Sequence, residues 1–141
     1  MTDYTYHLMT VDDHDEMYAL WKDATGIILG LSDDRDSVSS YLIQNPDQSF
    51  VCRTGGRMVG TILCGNDGRR AYIYHVAVAP EHRRHGIAAE LVRLSTNVQK
   101  ELGIQRCHLF ILNDNELGRE FWHEMGFIDR PNLNIMSMDI Q

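Results

Sequence analysis

The sequence predicts an α/β domain on a mixed central sheet of about seven strands with about four helices, and three observations carry that reading. Apolar spacing switches between periods of two and of about 3.6 residues in the order β α α β β β α β α β β. Three strand-like runs between residues 49 and 79 are separated by Gly55-Gly56 and by Gly65-Asn66-Asp67-Gly68, turn sequences that make two hairpins in series and so an antiparallel N-terminal part. After Pro80 a strongly periodic helix leads into residues 106–112, a strand-helix-strand crossover that calls for a parallel pair in the middle of the chain.

Each element has its own warrant. Residues 4–9 read as a first strand, followed by Thr10-x-x-Asp13, which resembles a capping box, and by Met17, Leu20, Trp21 and Ala24 at helical spacing up to Gly26. A loop over 26–34 is apolar at Ile27, Ile28 and Leu29 and then acidic toward Asp33, Asp34 and Asp36; a short helix with Val38, Tyr41 and Leu42 stops at Asn45-Pro46. Strands are expected at 49–54, 58–64 and 71–79. The next helix carries Ile87, Leu91, Leu94, Val98 and Leu102 on one stripe and ends at Gly103. Beyond the strand at 106–112, Asn115 is placed to cap a last helix with a buried stripe of Leu117, Phe121 and Met125, closed by Gly126. Strands at 127–129 and 134–140 complete the order.

Length and composition bound the function. At 141 residues, with 43% hydrophobic and 23% charged, the chain suits one domain spanning 1–141, and size scaling lets such a domain bury about two-thirds of its surface. Thirteen basic against 20 acidic residues give a net charge of −7, which argues against a nucleic-acid partner because neutralising phosphates needs a dominant basic face. No 18-residue apolar run and no basic-then-apolar leader occur, so no membrane partner and a cytoplasmic location are expected. Cys52, Cys64 and Cys107 are odd in number and lack C-x-x-C spacing, which suits small buried hydrophobes in a reducing compartment. Seven histidines without H-x-x-x-H spacing suggest no metal.

The chemistry concentrates between the longest strand and the most periodic helix, in Val76-Ala77-Val78-Ala79-Pro80-Glu81-His82-Arg83-Arg84-His85-Gly86-Ile87-Ala88. The first amides of a helix lack intrahelical acceptors and sit at the positive end of its dipole, so this junction is an anion trap. Gly86 and Ala88 let the backbone approach a ligand, and Arg83, Arg84 and the flanking histidines add positive charge; a solvated basic loop is the plainer reading. Val76-x-Val78-x-Pro80 followed by Arg83-x-x-Gly86-x-Ala88 resembles the acetyl-CoA motif of the GCN5-related N-acetyltransferase (GNAT) family. Asn115-x-x-Gly118-x-x-Phe121-Trp122-x-x-x-Gly126-Phe127 is similar to that family's second signature at the same spacing, and Gly65-x-Asp67-Gly68-x-Arg70 looks like a hairpin of a small bacterial subgroup.

The resemblance implies a small bacterial single-domain enzyme with a GNAT-like sheet whose middle parallel pair splays apart. It implies acetyl-CoA as co-substrate, with the pyrophosphate on Arg83, Arg84, His85, Gly86, Ile87 and Ala88. The pantetheine would pair along Val76, Ala77 and Val78 like an added strand, and Asn115 and Trp122 would complete the coenzyme side. The acceptor would be a primary amine, on a small molecule or on a protein or peptide, and a homodimer is compatible with the family. Direct attack of the amine on the thioester is the expected reaction; the alternative is a non-catalytic acyl-CoA-binding sensor or recruitment domain.

Two departures from the family pattern shape the mechanism. Trp122 stands where relatives place a tyrosine near the thiol, and an indole N–H donates a hydrogen bond but supplies no proton at neutral pH, so Trp122 reads first as a packing residue on the coenzyme-facing side of the last helix. The long strand lacks the glutamate that many relatives use as a base and offers Tyr72, Tyr74 and His75 instead. A lysine-like amine must lose a proton at a cost of about 4–5 kcal/mol at pH 7, so a base or water relay is valuable, and His75 titrates in the useful range. Strand alternation sets His75 on one face and Tyr72 and Tyr74 on the other, with a packed strand histidine and core tyrosines as the competing readings. Asp33, Asp34 and Asp36 either attract a cationic amine or form an acidic helix start.

Overall fold

The structure is a computed structural model that describes residues 2–24 and 26–140. Its contacts divide the chain into two compact units, Met1–Phe110 and Ile111–Gln141. The larger unit holds a five-stranded sheet in sequence order: β1 (Thr5–Leu8), β2 (Phe50–Thr54), β3 (Arg57–Asn66), β4 (Ala71–Val78) and β5 (Cys107–Leu109). Neighbours from β1 to β4 run antiparallel, and β4 pairs β5 in parallel. Helices α1 (His14–Asp23) and α2 (Arg35–Gln44) follow β1, and α3 (Ile87–Glu101) makes the crossover.

Local chemistry explains these elements. The Asp13 carboxylate accepts from the Thr10 amide at 2.9 Å, starting the turn that leads into α1, and Met17 and Trp21 are fully buried beneath that helix. Gly55 and Gly56 both have positive φ, the two-residue turn that matches strand twist between β2 and β3. The Asp67 carboxylate accepts from the amides of Arg69 and Arg70, both at 2.8 Å, and closes the β3–β4 turn. At the end of α3, Gly103 (φ 81°) lets its own amide bond Lys100 O and the Ile104 amide bond Gln99 O, a Schellman stop.

Three expectations are corrected. The described residues form five strands, not about seven: 127–129 and 134–140 pair with nothing, and the strand expected at 106–112 pairs only at 107–109. Alternation makes a segment fit for a strand, but only a partner's ladder makes it one. The buried face of α3 is Ile87, Leu91, Val92, Ser95 and Gln99, while Leu102 is exposed. Polar residues occupy that face because they bond there: Ser95 Oγ donates to Gln48 O at 2.9 Å and Gln99 Nε2 to Gln48 Oε1 at 2.7 Å.

In the smaller unit, α4 (Glu116–Glu124) is capped by Asn115, whose Oδ1 accepts from the Gly118 amide at 2.9 Å. Its C-terminus is a second Schellman stop, with Gly126 at φ 100° and the Phe127 amide on Trp122 O at 2.9 Å. The stripe expected from Leu117 through Met125 is not a buried one: Leu117 is exposed, and the helix packs on its own exit through Trp122, Phe121 and Phe127.

Candidate active site

The parallel ladder joins Ala71, Tyr72 and Ile73 of β4 to Cys107, His108 and Leu109 of β5 and then stops. From Tyr74 to Val78 the β5-facing edge of β4 has no strand partner among the described residues, so the sheet opens at that point. The opening coincides with a register shift on the other side of β4: Leu63 pairs His75 while Cys64 pairs Ile73, leaving Tyr74 as an extra, bulged residue.

That bulge overturns the expected alternation. Tyr72 stacks on Tyr74 with ring centroids 6.1 Å apart, and Tyr74 meets Tyr41 of α2 edge-on at 5.9 Å. His75 lies against Trp21 of α1 at 4.7 Å, so Tyr72, Tyr74 and His75 all face the α1–α2 side. Phe110, just past β5, lies 6.3 Å from Tyr72 and 6.5 Å from Tyr74. Burial raises the Tyr74 hydroxyl above the usual phenol range, and burial pushes that of Tyr41 higher still. Both phenols therefore stay protonated at neutral pH.

His75 is held tightly. Its Nε2 donates to Asp33 Oδ1 at 2.7 Å, and both side chains are only 11% exposed. Asp33 Oδ2 accepts from the Gly30 amide at 2.8 Å, and Asp33 O accepts from Nε2 of the buried His14 at 2.9 Å. Trp21, whose ring covers His75, donates from Nε1 to Thr61 Oγ1 at 2.9 Å. The acidic loop thus divides its labour: Asp33 turns inward to His75, Asp34 caps α2 by accepting from the Ser37 amide at 2.7 Å, and Asp36 is exposed. Sequence spacing gave no hint of the Asp33–His75 pair, whose members lie 42 residues apart.

The junction into α3 is built from backbone. Arg84 and Gly86 both have positive φ (65° and 80°), and Gly86 caps α3 with no side chain to offer the first amides. The first intrahelical bond runs from the Glu90 amide to Gly86 O, so the amides of Ile87, Ala88 and Ala89 lack helical acceptors. A Cβ at Gly86 would meet nothing within 4 Å, so the space over this end of α3 is open. The Ile87 side chain is 1% exposed and belongs to the core, which leaves only its amide for a ligand. His85 Nδ1 donates to His82 O at 3.0 Å and braces the loop that carries Arg83 and Arg84. Along β4, the Ala77 side chain is buried in the α1-side core, so Val76, Ala77 and Val78 present backbone to the opening.

The structure brings Tyr72, Tyr74, His75 and the Val76–Val78 backbone together at the opening, with the α3 N-terminus on the same chain segment. Asn115 and Trp122 belong to the smaller unit. There Asn115 is committed to capping α4, and Trp122 contacts Phe121 at 4.9 Å and Phe127 at 5.1 Å.

A free strand edge beside an uncapped helix start suits an extended ligand that carries a phosphate. Residues 10–127 match the model of the acetyltransferase (GNAT) family, and the chain belongs to that family. It is 30% identical over 128 residues to an acetyltransferase of Photorhabdus laumondii, covering 89% of this chain and 87% of that one. Among solved structures, Ard1 from Thermoplasma volcanium superposes with a TM-score of 0.79 at 19% identity, covering 89% of this chain and 82% of that one. The PaiA N-acetyltransferase from Thermoplasma acidophilum, solved with coenzyme A, gives 0.76 at 13%, covering 86% and 87%. The protein is therefore an acetyltransferase. Among the described residues no helix is long and apolar enough to cross a membrane.

Proposed function

We propose that the protein is an N-acetyltransferase, one domain over 1–141, in which a primary amine attacks the acetyl-CoA thioester directly and His75 takes the amine's proton. The observation that carries this reading is the placement of His75 and Tyr74 where β4 parts from β5, on the face formed by α1 and α2. The coenzyme pyrophosphate would sit on the amides of Ile87, Ala88 and Ala89 with Arg83 and Arg84 nearby, and the pantetheine amides would pair with the free edge at Val76–Val78. The acetyl carbon then lies at the opening, within reach of an amine arriving over Tyr74.

The step balances without an enzyme-bound acyl group. The amine nitrogen forms a bond to the thioester carbon, the C–S bond breaks, and CoA leaves as a thiolate. One proton passes from the amine nitrogen to His75 Nδ1, and the thiolate takes one from solvent. A thiol that behaves like cysteine, with a pKa near 8.5, leaves readily enough that no dedicated acid such as Trp122 is required. Positioning the amine in attack geometry supplies much of the rate. A cytoplasmic location fits a supply of acetyl-CoA and the three free cysteines.

The test is thiol release from acetyl-CoA in the presence of spermidine, phenethylamine, kanamycin and a tetrapeptide with a free amino terminus. At least one should be acetylated. His75→Ala should then lower kcat about 10²-fold or more and abolish the limb over which activity rises with pH. Coenzyme binding with no turnover of any amine would favour the sensor reading, and a limb surviving in His75→Ala would assign the proton to another group.

A further inference from the structure

We propose that Asp33, a residue of the loop between α1 and α2, is the positioning residue of this reaction: it holds His75 in the Nε2–H tautomer and leaves Nδ1 as the proton acceptor. The inference rests on His75 acting as the base, and it names what makes that histidine competent. A neutral imidazole has one N–H and one lone pair, and the partner of one nitrogen decides the role of the other. A carboxylate can only accept, so the 2.7 Å contact from Nε2 to Asp33 Oδ1 puts the hydrogen on Nε2. Nδ1 makes no hydrogen bond to any described residue, which leaves its lone pair for a substrate proton.

Asp33 suits this task because its own position is over-determined. Oδ2 is engaged by the Gly30 amide at 2.8 Å, and the Asp33 amide returns to Gly30 O at 3.3 Å. His14 of α1 then fastens the Asp33 carbonyl at 2.9 Å. The carboxylate is therefore presented by a closed four-residue turn latched to α1, and the imaginable freedom of a long loop is gone. Trp21 fixes the remaining degree of freedom, covering the imidazole at 4.7 Å with planes at 53°. The titratable groups tied to the imidazole are Asp33, which bonds it, and His14 of α1, which bonds the Asp33 carbonyl; Tyr74, its neighbour on β4, makes its ring contacts with Tyr41, Tyr72 and Phe110. A buried carboxylate also stabilises the imidazolium that forms when the amine gives up its proton.

The same arrangement ties the base to the acceptor side. Residues 30–33 form the stretch of the α1–α2 loop that reaches β4, so an amine that disturbs this loop also disturbs His75. Ile28 and Leu31, both largely exposed, lie beside the turn and are free to meet the acceptor.

The experiment uses the full chain and begins without an acceptor. Long-range ¹H–¹⁵N spectra of the free protein at pH 8 should show His75 with Nε2 protonated and Nδ1 bare, whereas a protonated Nδ1 would overturn the proposal outright. Asp33→Asn keeps the size of the side chain but can offer an N–H to the ring, which favours the opposite tautomer. With the best amine from the four-member panel, Asp33→Asn should lower kcat at least about 30-fold while leaving the acetyl-CoA KM within twofold. The double variant with His75→Ala should be no slower than His75→Ala alone, because the two residues act as a unit. If His75→Ala is slow but Asp33→Asn retains kcat within threefold, the positioning role fails and the base assignment stands. If His75→Ala is itself as active as wild type, the base assignment fails. A tautomer unchanged in Asp33→Asn would likewise overturn the role of Asp33.

Discussion

The proposed coenzyme half and the proposed acceptor half of this site are built in opposite ways. On the coenzyme side everything lies within one continuous stretch, from Val76 through Ala89, and the functional groups are backbone amides exposed by local conformation: a free strand edge, positive φ at Arg84 and Gly86, and an uncapped helix start. On the acceptor side the groups are side chains gathered from α1, the following loop, α2 and β4, namely His14, Trp21, Asp33, Tyr41, Tyr74 and His75. A contiguous backbone site tolerates many sequences as long as a few small residues permit its shape. A gathered side-chain site depends on each member.

The largest expected effect breaks the coenzyme half at a single backbone position. Gly86→Glu should reduce acetyl-CoA affinity at least about 100-fold, because it places a carboxylate over the amides that would bind phosphate and forces a non-glycine residue to φ 80°. Gly86→Ala separates the two causes: it carries the conformational cost of about 1–2 kcal/mol without the charge and should bind far better than Gly86→Glu. Titration calorimetry reads both. Affinity within threefold of wild type in Gly86→Glu would put the phosphates elsewhere, and the contrast between the halves would collapse.

The same contrast explains what could be read from the chain before folding. Gly55-Gly56, Gly103 and Gly126 announced their turns because positive φ is a local demand, and Asn115 announced its cap because the Gly118 amide lies three residues on. The crossover and its helix start were legible for that reason as well. The faces of β4 were not, since the bulge at Tyr74 depends on how Leu63 and Cys64 of another strand pair with it, and one extra residue reverses every alternation argument beyond it. Asp33 looked like one of three loop acids; its carboxylate is assigned only once the sheet brings His75 within 2.7 Å. Leu102 and Leu117 followed a helical stripe yet stay exposed, because Ser95, Gln99 and the turn at Phe127 supply contacts that hydrophobic spacing does not encode.

A smaller effect is expected at Trp122, where motif and structure pull apart. The motif places it at the coenzyme thiol, whereas its contacts within the smaller unit are with Phe121 and Phe127 at the end of α4. Trp122→Phe keeps an aromatic ring for both contacts and loses only an indole N–H, so kcat should stay within about tenfold of wild type and any loss should follow thermal stability. A thousandfold fall in kcat at unchanged Tm would show that the indole acts on the reacting atoms and would move this residue into the gathered half.

The smallest effect tests whether the two halves are energetically separate. Arg53 of β2 bonds Asp13 and Glu16 at the start of α1, both through Nη2 at 2.9 Å, and the Met58 amide adds a contact to Glu16 at 3.3 Å. This cluster steadies the helix that carries His14 and Trp21, and it is remote in sequence from the α3 junction. The Arg53 guanidinium, chiefly through its hydrogen bonds, holds the Glu16 carboxyl below the usual carboxylate range. A group depressed in the folded state stabilises it at pH values above the unfolded-state carboxylate range. That contribution is lost as pH falls through the lowered folded-state value. Wild-type Tm should therefore drop on acidification below about pH 4.5, and Arg53→Met should flatten that part of the profile while lowering Tm at pH 7 by no more than about 4 °C, since Glu16 is half exposed and screened. Acetyl-CoA affinity of the variant at pH 7 should stay within twofold, because the coenzyme half draws on its own backbone. A tenfold loss of coenzyme affinity would mean that α1 and the α3 junction share their stability, and the acceptor loop would then report on coenzyme occupancy through the core of the sheet.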